Sequence, residues 1–348
     1  MNQALTTGPA PVTDVYELKL AASSRLKLRA AALLAEGGED RIFDACVFLH
    51  EAARIERRSV DALGACPPIT RLRASIEECG CWIDGFDPKR AAEAWGRVLR
   101  DGQQVDAATR DALLERIRPR FEENKAEFSR VLQGCTHLIR ALQSGSLVPP
   151  TREGQLAVLR DVRRLLKAFP GATHSWWASY RLLEALGDMA GAWQSLARAR
   201  RLDPDNRRYK AVSLLLATAA LPAAEAELHI EQSARPLEEA GPDVCLMYAL
   251  AGLRLATRSR AKDRWRRSLE ASRAGLSQAP SEALRRSLQA TMLVTAALLS
   301  GDELTVDLLY RAGLGELVAE AQPGGDVVDL LVRLGNREIA NDASRATG

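Results

Sequence analysis

The apolar residues of this chain recur with the period of an α-helix and nowhere with the period of a strand. Val15, Leu18, Leu20 and Ala21 begin one stripe, which continues through Leu26 and Leu28 to Leu33 and Leu34. Ile42, Cys46, Leu49, Ala53 and Ile55 carry the next. No stretch alternates apolar and polar residues with β-branched side chains, so no sheet is expected. Gly37-Gly38 stops the first stripe, and the second ends near Gly64. Pro67-Pro68 opens a helix expected over 69–83. Asp87 is placed to cap the following helix, with Pro88 at its first position. Asp106 caps another, and Pro119 is expected to kink or break it. A long amphipathic segment then reaches Leu142.

Composition agrees with helices. The chain of 348 residues has 57 alanines and only 5% aromatics. Alanine is the best helix former, and its small side chain suits close helix packing. The length exceeds one ordinary domain, so two domains or an elongated solenoid are expected. Residues 144–152, Ser-Gly-Ser-Leu-Val-Pro-Pro-Thr-Arg, cannot continue a helix and read as a linker. Beyond it, breaks at Phe169-Pro170-Gly171, Gly187-Asp188, Asp203-Pro204, Leu221-Pro222, Gly241-Pro242, Ala279-Pro280 and Gly301-Asp302 separate short helices. The expected architecture is all-α: an N-terminal helical bundle over 1–143, the linker, a helical-repeat solenoid over 153–339, and a frayed tail over 340–348.

Several classes are disfavoured. Six cysteines are too sparse for a disulfide scaffold. The N-terminus has no basic and apolar pair of regions, and the longest apolar runs are too short to span a bilayer. A cytoplasmic setting is expected. No phosphate-binding glycine loop, Gly-x-Ser-x-Gly or His-Glu-x-x-His occurs, so neither cofactor nor catalysis is expected.

His174 to Pro204 reads HSWWASYRLLEALGDMAGAWQSLARARRLDP. This segment resembles a tetratricopeptide repeat, a pair of antiparallel helices with a period of about 34 residues. Trp176 falls at the first aromatic position, Gly187 at the interhelix turn, and Ala192 and Ala199 at the small positions with Leu196 between them. Pro204 is the terminal proline. Tyr180 and Leu183 depart from the pattern, and the flanking segments 162–170 and 271–280 match weakly. The resemblance implies a concave groove lined by the first helix of each pair. Its ligand-contacting positions carry over to His174, Trp177, Arg181 and Glu184. The pattern that clamps a C-terminal carboxylate in chaperone-binding members is absent, so that ligand is not expected.

Two other constellations carry chemistry on paper. Cys46 and His50 stand i,i+4 on one helix, a spacing that can share a metal with Cys79 and Cys81 on the next. Cys-x-Cys diverges by about 200° on a helix, however, and Cys46 lies on an apolar stripe, which favours core packing. Arg130 and His137 have a spacing that resembles HEPN-type ribonucleases, where such a pair acts on a scissile phosphate.

The net charge of +3 conceals segregation. Residues 1–150 are balanced, 151–210 carry +6, 224–243 carry −5, 254–286 carry +7, and 302–348 carry −5. Neighbouring stretches of opposite sign suggest mutual neutralisation, or a basic groove for an acidic peptide. The densest basic cluster holds Arg198, Arg200, Arg201, Arg207 and Arg208. It lacks interleaved aromatics to stack bases, which disfavours RNA. The expected function is a non-catalytic scaffold that binds a protein or peptide, possibly acidic, through His174, Trp177, Arg181, Glu184, Arg198 and Arg201.

Overall fold

The apolar stripes fold as helices in the computed structural model of the chain, which describes residues 12–62, 66–234, 236–259, 262–278, 280–300 and 331. The architecture is all-α, most helices pack on a chain neighbour, and no strand occurs among the described residues. In order the helices are α1 (Val12–Glu36), α2 (Glu39–Ala62), α3 (Pro68–Asp84), α4 (Pro88–Gly102), α5 (Ala107–Leu114), α6 (Ile117–Gln133), α7 (Thr136–Gln143) and α8 (Arg152–Ala168). They continue with α9 (Thr173–Leu186), α10 (Met189–Leu202), α11 (Arg207–Ala220), α12 (Ala223–Ala234), α13 (Leu237–Ala240), α14 (Pro242–Ser259), α15 (Lys262–Ser277) and α16 (Glu282–Ser300). The breaks expected at Gly64 and Gly301-Asp302, the tail over 340–348 and the acidic stretch over 302–348 lie outside the described residues. None of the described helices is long and apolar enough to cross a membrane.

Packing divides the chain into two units, Met1–Asp188 with Arg201–Asp203, and Met189–Arg200 with Pro204–Gly348. In the first unit α1 packs on α2, α2 on α3 and α3 on α4, while α6 returns to both α3 and α4. The helices approach closely because their buried faces are small: Ala52, Ala53, Ala91 and Ala94 are fully buried around Leu72, Trp82 and Val98. Segment 144–152 forms the connection between α7 and α8 inside this unit. The helices on either side of it are tied together. The Asp161 carboxylate of α8 accepts the backbone N–H groups of His137 (2.8 Å) and Leu138 (3.1 Å), satisfying the free donors that begin α7.

Local capping follows the sequence. Asp87 accepts the N–H of Arg90 and Asp106 that of Thr109, starting α4 and α5. Pro119 occupies the third position of α6, and the break lies upstream of it, at Glu115-Arg116. A proline is tolerated in a first turn, where its missing N–H has no intrahelical partner to lose. Gly134 and Cys135 divide the segment expected to reach Leu142 into α6 and α7. Gly187 ends α9 at φ +83°, with Gly187 N–H on Glu184 O (3.0 Å) and Asp188 N–H on Leu183 O (2.9 Å). These paired bonds define a Schellman end, which needs a left-handed residue at that place.

One polar junction holds the first unit together. His50, fully buried on α2, sits with Nε2 3.1 Å from Gly85 O and Nδ1 3.4 Å from Leu202 O. Leu202 O also accepts Arg54 at 2.7 Å, and the shorter ring contact assigns the His50 proton to Nε2, directed at Gly85 O. Asp87, 1% exposed, accepts the Thr173 hydroxyl at 3.1 Å. Arg90 lies over the Trp82 ring and donates to Asp203 at 2.5 Å. The α3–α4 turn, the α8–α9 turn and residues 201–203 thus share one set of buried partners.

In the second unit α14 is the central element. Val244 to Ala251 are at most 2% exposed, so this helix is apolar all round and packs against α11, α15 and α16. The charge stretches meet here: Arg264 pairs with Glu227, and Arg267 with Glu231 at 2.7 Å. The Tyr248 hydroxyl donates to Glu231 at 2.7 Å. At these positions the acidic segment 224–243 and the basic segment 254–286 neutralise one another.

Candidate functional site

The first unit contains a groove of about 1730 Å³. Three helices each turn one face to it: Leu20, Lys27, Ala31 and Leu34 of α1, Thr70, Arg73, Glu77, Gly80 and Asp84 of α3, and Ile117, Arg120, Asn124 and Glu127 of α6. The spacings are three, four or seven residues, which is what places residues on one helical face. Leu49 and Glu56 reach it from α2. Ion pairs connect the helices. Lys27 donates to Glu77 at 2.8 Å and to the buried Glu56 at 3.0 Å, and Arg120 pairs with Asp84. Burial works against the Lys27 ammonium, but the acidic groups around it (Cys81, Glu77 and Glu56) outweigh burial, so its pKa is raised. Cys81 is itself a neutral thiol near pH 7, its pKa pushed up to about 12 by burial, so the two carboxylates hold the charge there.

Two lining arginine side chains, Arg73 and Arg116, make no ion pair or hydrogen bond among the described residues. Glu123 is the one lining acid in the same condition. The lining as a whole is balanced, with five basic and five acidic side chains, and two of the three uncommitted ones are arginines. Gly80 lies on its α3 face, and a Cβ there would meet Ile117 Cδ1 at 3.8 Å, an ordinary contact. Gly80→Ala is expected to raise stability by about 0.5–1 kcal/mol, because alanine restricts the unfolded chain and favours the helix. Thermal unfolding of the variant checks this, and a lowered midpoint would mean that the face is more tightly packed than described.

The residues expected to contact a partner lie elsewhere. His174, Trp177, Arg181 and Glu184 share α9, and none lines the groove. Trp177 packs at 4.9 Å on Tyr180, whose hydroxyl donates to Glu184 at 2.9 Å, and Arg181 Nε lies 3.6 Å from Glu184. Burial raises the Glu184 carboxyl. His174 Nε2 lies 3.0 Å from the Lys89 ammonium, and partial burial with that neighbouring cation lowers its pKa. Arg201 donates to Asp44 at 2.6 Å and lies over the Phe43 ring. Arg198 is half-buried in the second unit. Trp176 meets Phe43 edge-on at 5.9 Å, and its indole N–H donates to Pro170 O at 2.7 Å. Ala192, Leu196 and Ala199 are fully buried.

Cys46, Cys79 and Cys81 are buried thiols in apolar clusters, each with its pKa pushed up to about 12 by burial. His50 directs its Nε2 at Gly85 O. No group of three or more histidine, cysteine or carboxylate side chains is placed to hold a metal among the described residues. Arg130 and His137 stand on different helices. Arg130 is exposed at the groove and paired with Glu127, while His137 Nδ1 lies 3.4 Å from Asp161.

No family model matches the chain, and no curated protein shows significant similarity to it. The sequence carries part of the groove's signal, since Thr70, Arg73, Glu77, Gly80 and Asp84 follow the helical cadence. Which other faces they meet is set by contacts between residues 50 and 36 positions apart, Lys27 with Glu77 and Asp84 with Arg120.

Proposed function

We propose that the chain is a non-catalytic protein-interaction module, assembled from tetratricopeptide-like helix pairs, that holds an acidic amphipathic helix of a protein partner in the groove of α1, α3 and α6. The groove volume of about 1730 Å³ carries this reading. It exceeds the roughly 300–1,000 Å³ of typical small-molecule sites. Apolar contacts from Leu20, Leu34 and Ile76 suit the apolar face of a helix laid in a groove. Arg73 and Arg116 suit carboxylates on that helix.

The test is selection of groove binders from a displayed peptide library against the full chain. The reading expects selected peptides rich in Asp and Glu, with apolar residues at helical spacing. Binding by Arg73→Glu/Arg116→Glu should fall at least tenfold. Peptides without acidic enrichment, bound equally by that double variant, would overturn the reading.

A further inference from the structure

One half-buried cation of the second unit faces only neutral groups. Arg200 of α10 donates to His229 Nε2 at 3.1 Å and to the Ser233 hydroxyl at 3.4 Å, both on α12. Ser213 of α11, fully buried, brings its hydroxyl within 3.2 Å of the same ring nitrogen. The ring stands edge-on against Trp193 of α10 at 4.9 Å. Burial, with Arg200 beside it, lowers the His229 pKa to about 4, so the ring is neutral near pH 7 and its Nε2 lone pair is assigned to Arg200. Burial also works against the Arg200 charge, and no carboxylate offsets it.

The acids of α12 are turned elsewhere. Glu227 and Glu231 each stand two residues from His229, about 200° round the helix, and pair with Arg264 and Arg267 of α15. Glu225, one turn before His229, is exposed and makes no ion pair or hydrogen bond among the described residues. Lys210 stands one turn before Ser213 on α11, half-buried, and its ammonium likewise has no partner among the described residues. Donors therefore exceed acceptors. Arg200 commits two of the five N–H groups of a guanidinium. The Ser233 hydroxyl accepts from Arg200, and its own proton has His229 Nε2 at 3.5 Å as its nearest acceptor. A half-buried cation without a counter-ion is costly, and charge-assisted hydrogen bonds to an anion are the strong remedy. Arg200, Lys210 and Ser233 come from three different helices. Donors so arranged suit the tetrahedral oxygens of a phosphate better than a planar carboxylate.

We propose that Arg200, Lys210 and Ser233 form a binding site for a phosphate-class oxyanion, with His229 positioning the Arg200 guanidinium. The site belongs to the second unit and does not rest on the peptide-groove reading. The test is titration calorimetry of the full chain with inorganic phosphate and with glycerol 2-phosphate, against acetate and chloride at matched ionic strength. At least one phosphate species should bind saturably, with each control at least tenfold weaker. Tighter binding of the ester assigns the site to a phosphorylated small molecule, and equal or weaker binding of the ester assigns it to the free ion. The ring protons of the four histidines, followed by NMR, locate the site. Phosphate should shift those of His229 and leave those of His137 in place. Arg200→Gln and Lys210→Gln should keep their helical circular dichroism and each lose at least tenfold in affinity. The proposal is overturned if neither phosphate species binds, if acetate binds as tightly, if the His229 ring signals stay in place at saturation, or if a folded Arg200→Gln binds like wild type.

Discussion

Gly171→Ala is expected to destabilise the first unit by roughly 3–5 kcal/mol, among the largest effects a single methyl group can have. A Cβ on Gly171 would lie 1.7 Å from Gly85 O and 3.0 Å from His50 Nε2. The nearest obstacle is backbone, which cannot turn aside as the end of a side chain can. Relief requires the α8–α9 turn to withdraw from the α3–α4 turn. That turn is fixed from several directions: Phe86 takes φ +54°, rare for a bulky residue, and packs with Phe43 and Leu202, while Asp87 is bound to Thr173. Gly187→Ala separates steric from conformational cost. Gly187 also needs a left-handed backbone, at φ +83°, but nothing lies within 4 Å of its Cβ position. It is expected to cost only about 1–2 kcal/mol. Urea unfolding followed by circular dichroism compares the two. A Gly171→Ala loss no larger than that of Gly187→Ala would contradict the close approach of the two turns.

Acid should destabilise the first unit through His50. Burial is the main cause that lowers its pKa, from 6.5 to about 4. Asp87 and the hydrogen bond to Gly85 favour the charged ring, while Arg90 and Arg54 oppose it. The folded state therefore holds the ring neutral where the unfolded chain binds a proton. Stability is fully present above pH 6.5, falls as the pH drops from 6.5 to about 4, and loses no more from this group below that. Over the whole window the loss is on the order of 3 kcal/mol. His229 in the second unit is also lowered to about 4, by burial and by Arg200, and adds a smaller loss in the same window. His50→Gln isolates the first effect. Its unfolding free energy should be lower at pH 7 and fall less steeply towards pH 4. A wild-type slope in the variant would place the acid sensitivity in other groups.

Features set by near neighbours were legible in the sequence, and those set by distant ones were not. Asp87, Asp106 and Gly187 act on atoms within a few residues of themselves, and each stands where its capping chemistry demands. Pro119 shows the limit of that approach. Its residue type announces a break, but only the register of α6 shows that it falls in a first turn, where it is tolerated. Asp161 caps α7 from another helix, with no local signal at all. The charge stretches were visible as composition, and Arg264 with Glu227 and Arg267 with Glu231 show which of them meet. The groove needed the same kind of information. Arg73 on α3 and Arg116 just before α6 are unremarkable in sequence, and are seen to line one groove only when α3 and α6 are laid side by side.

Affinity across substitutions at Gly80 tests the peptide groove most directly. Gly80→Ala adds one methyl that the face accommodates, whereas Gly80→Trp fills the groove from its α3 face without touching the polar junction around His50. With a library-selected acidic peptide, the groove reading predicts Gly80→Ala within about twofold of wild type, and Gly80→Trp weakened at least tenfold while retaining helical circular dichroism. Equal affinity for all three proteins would contradict it.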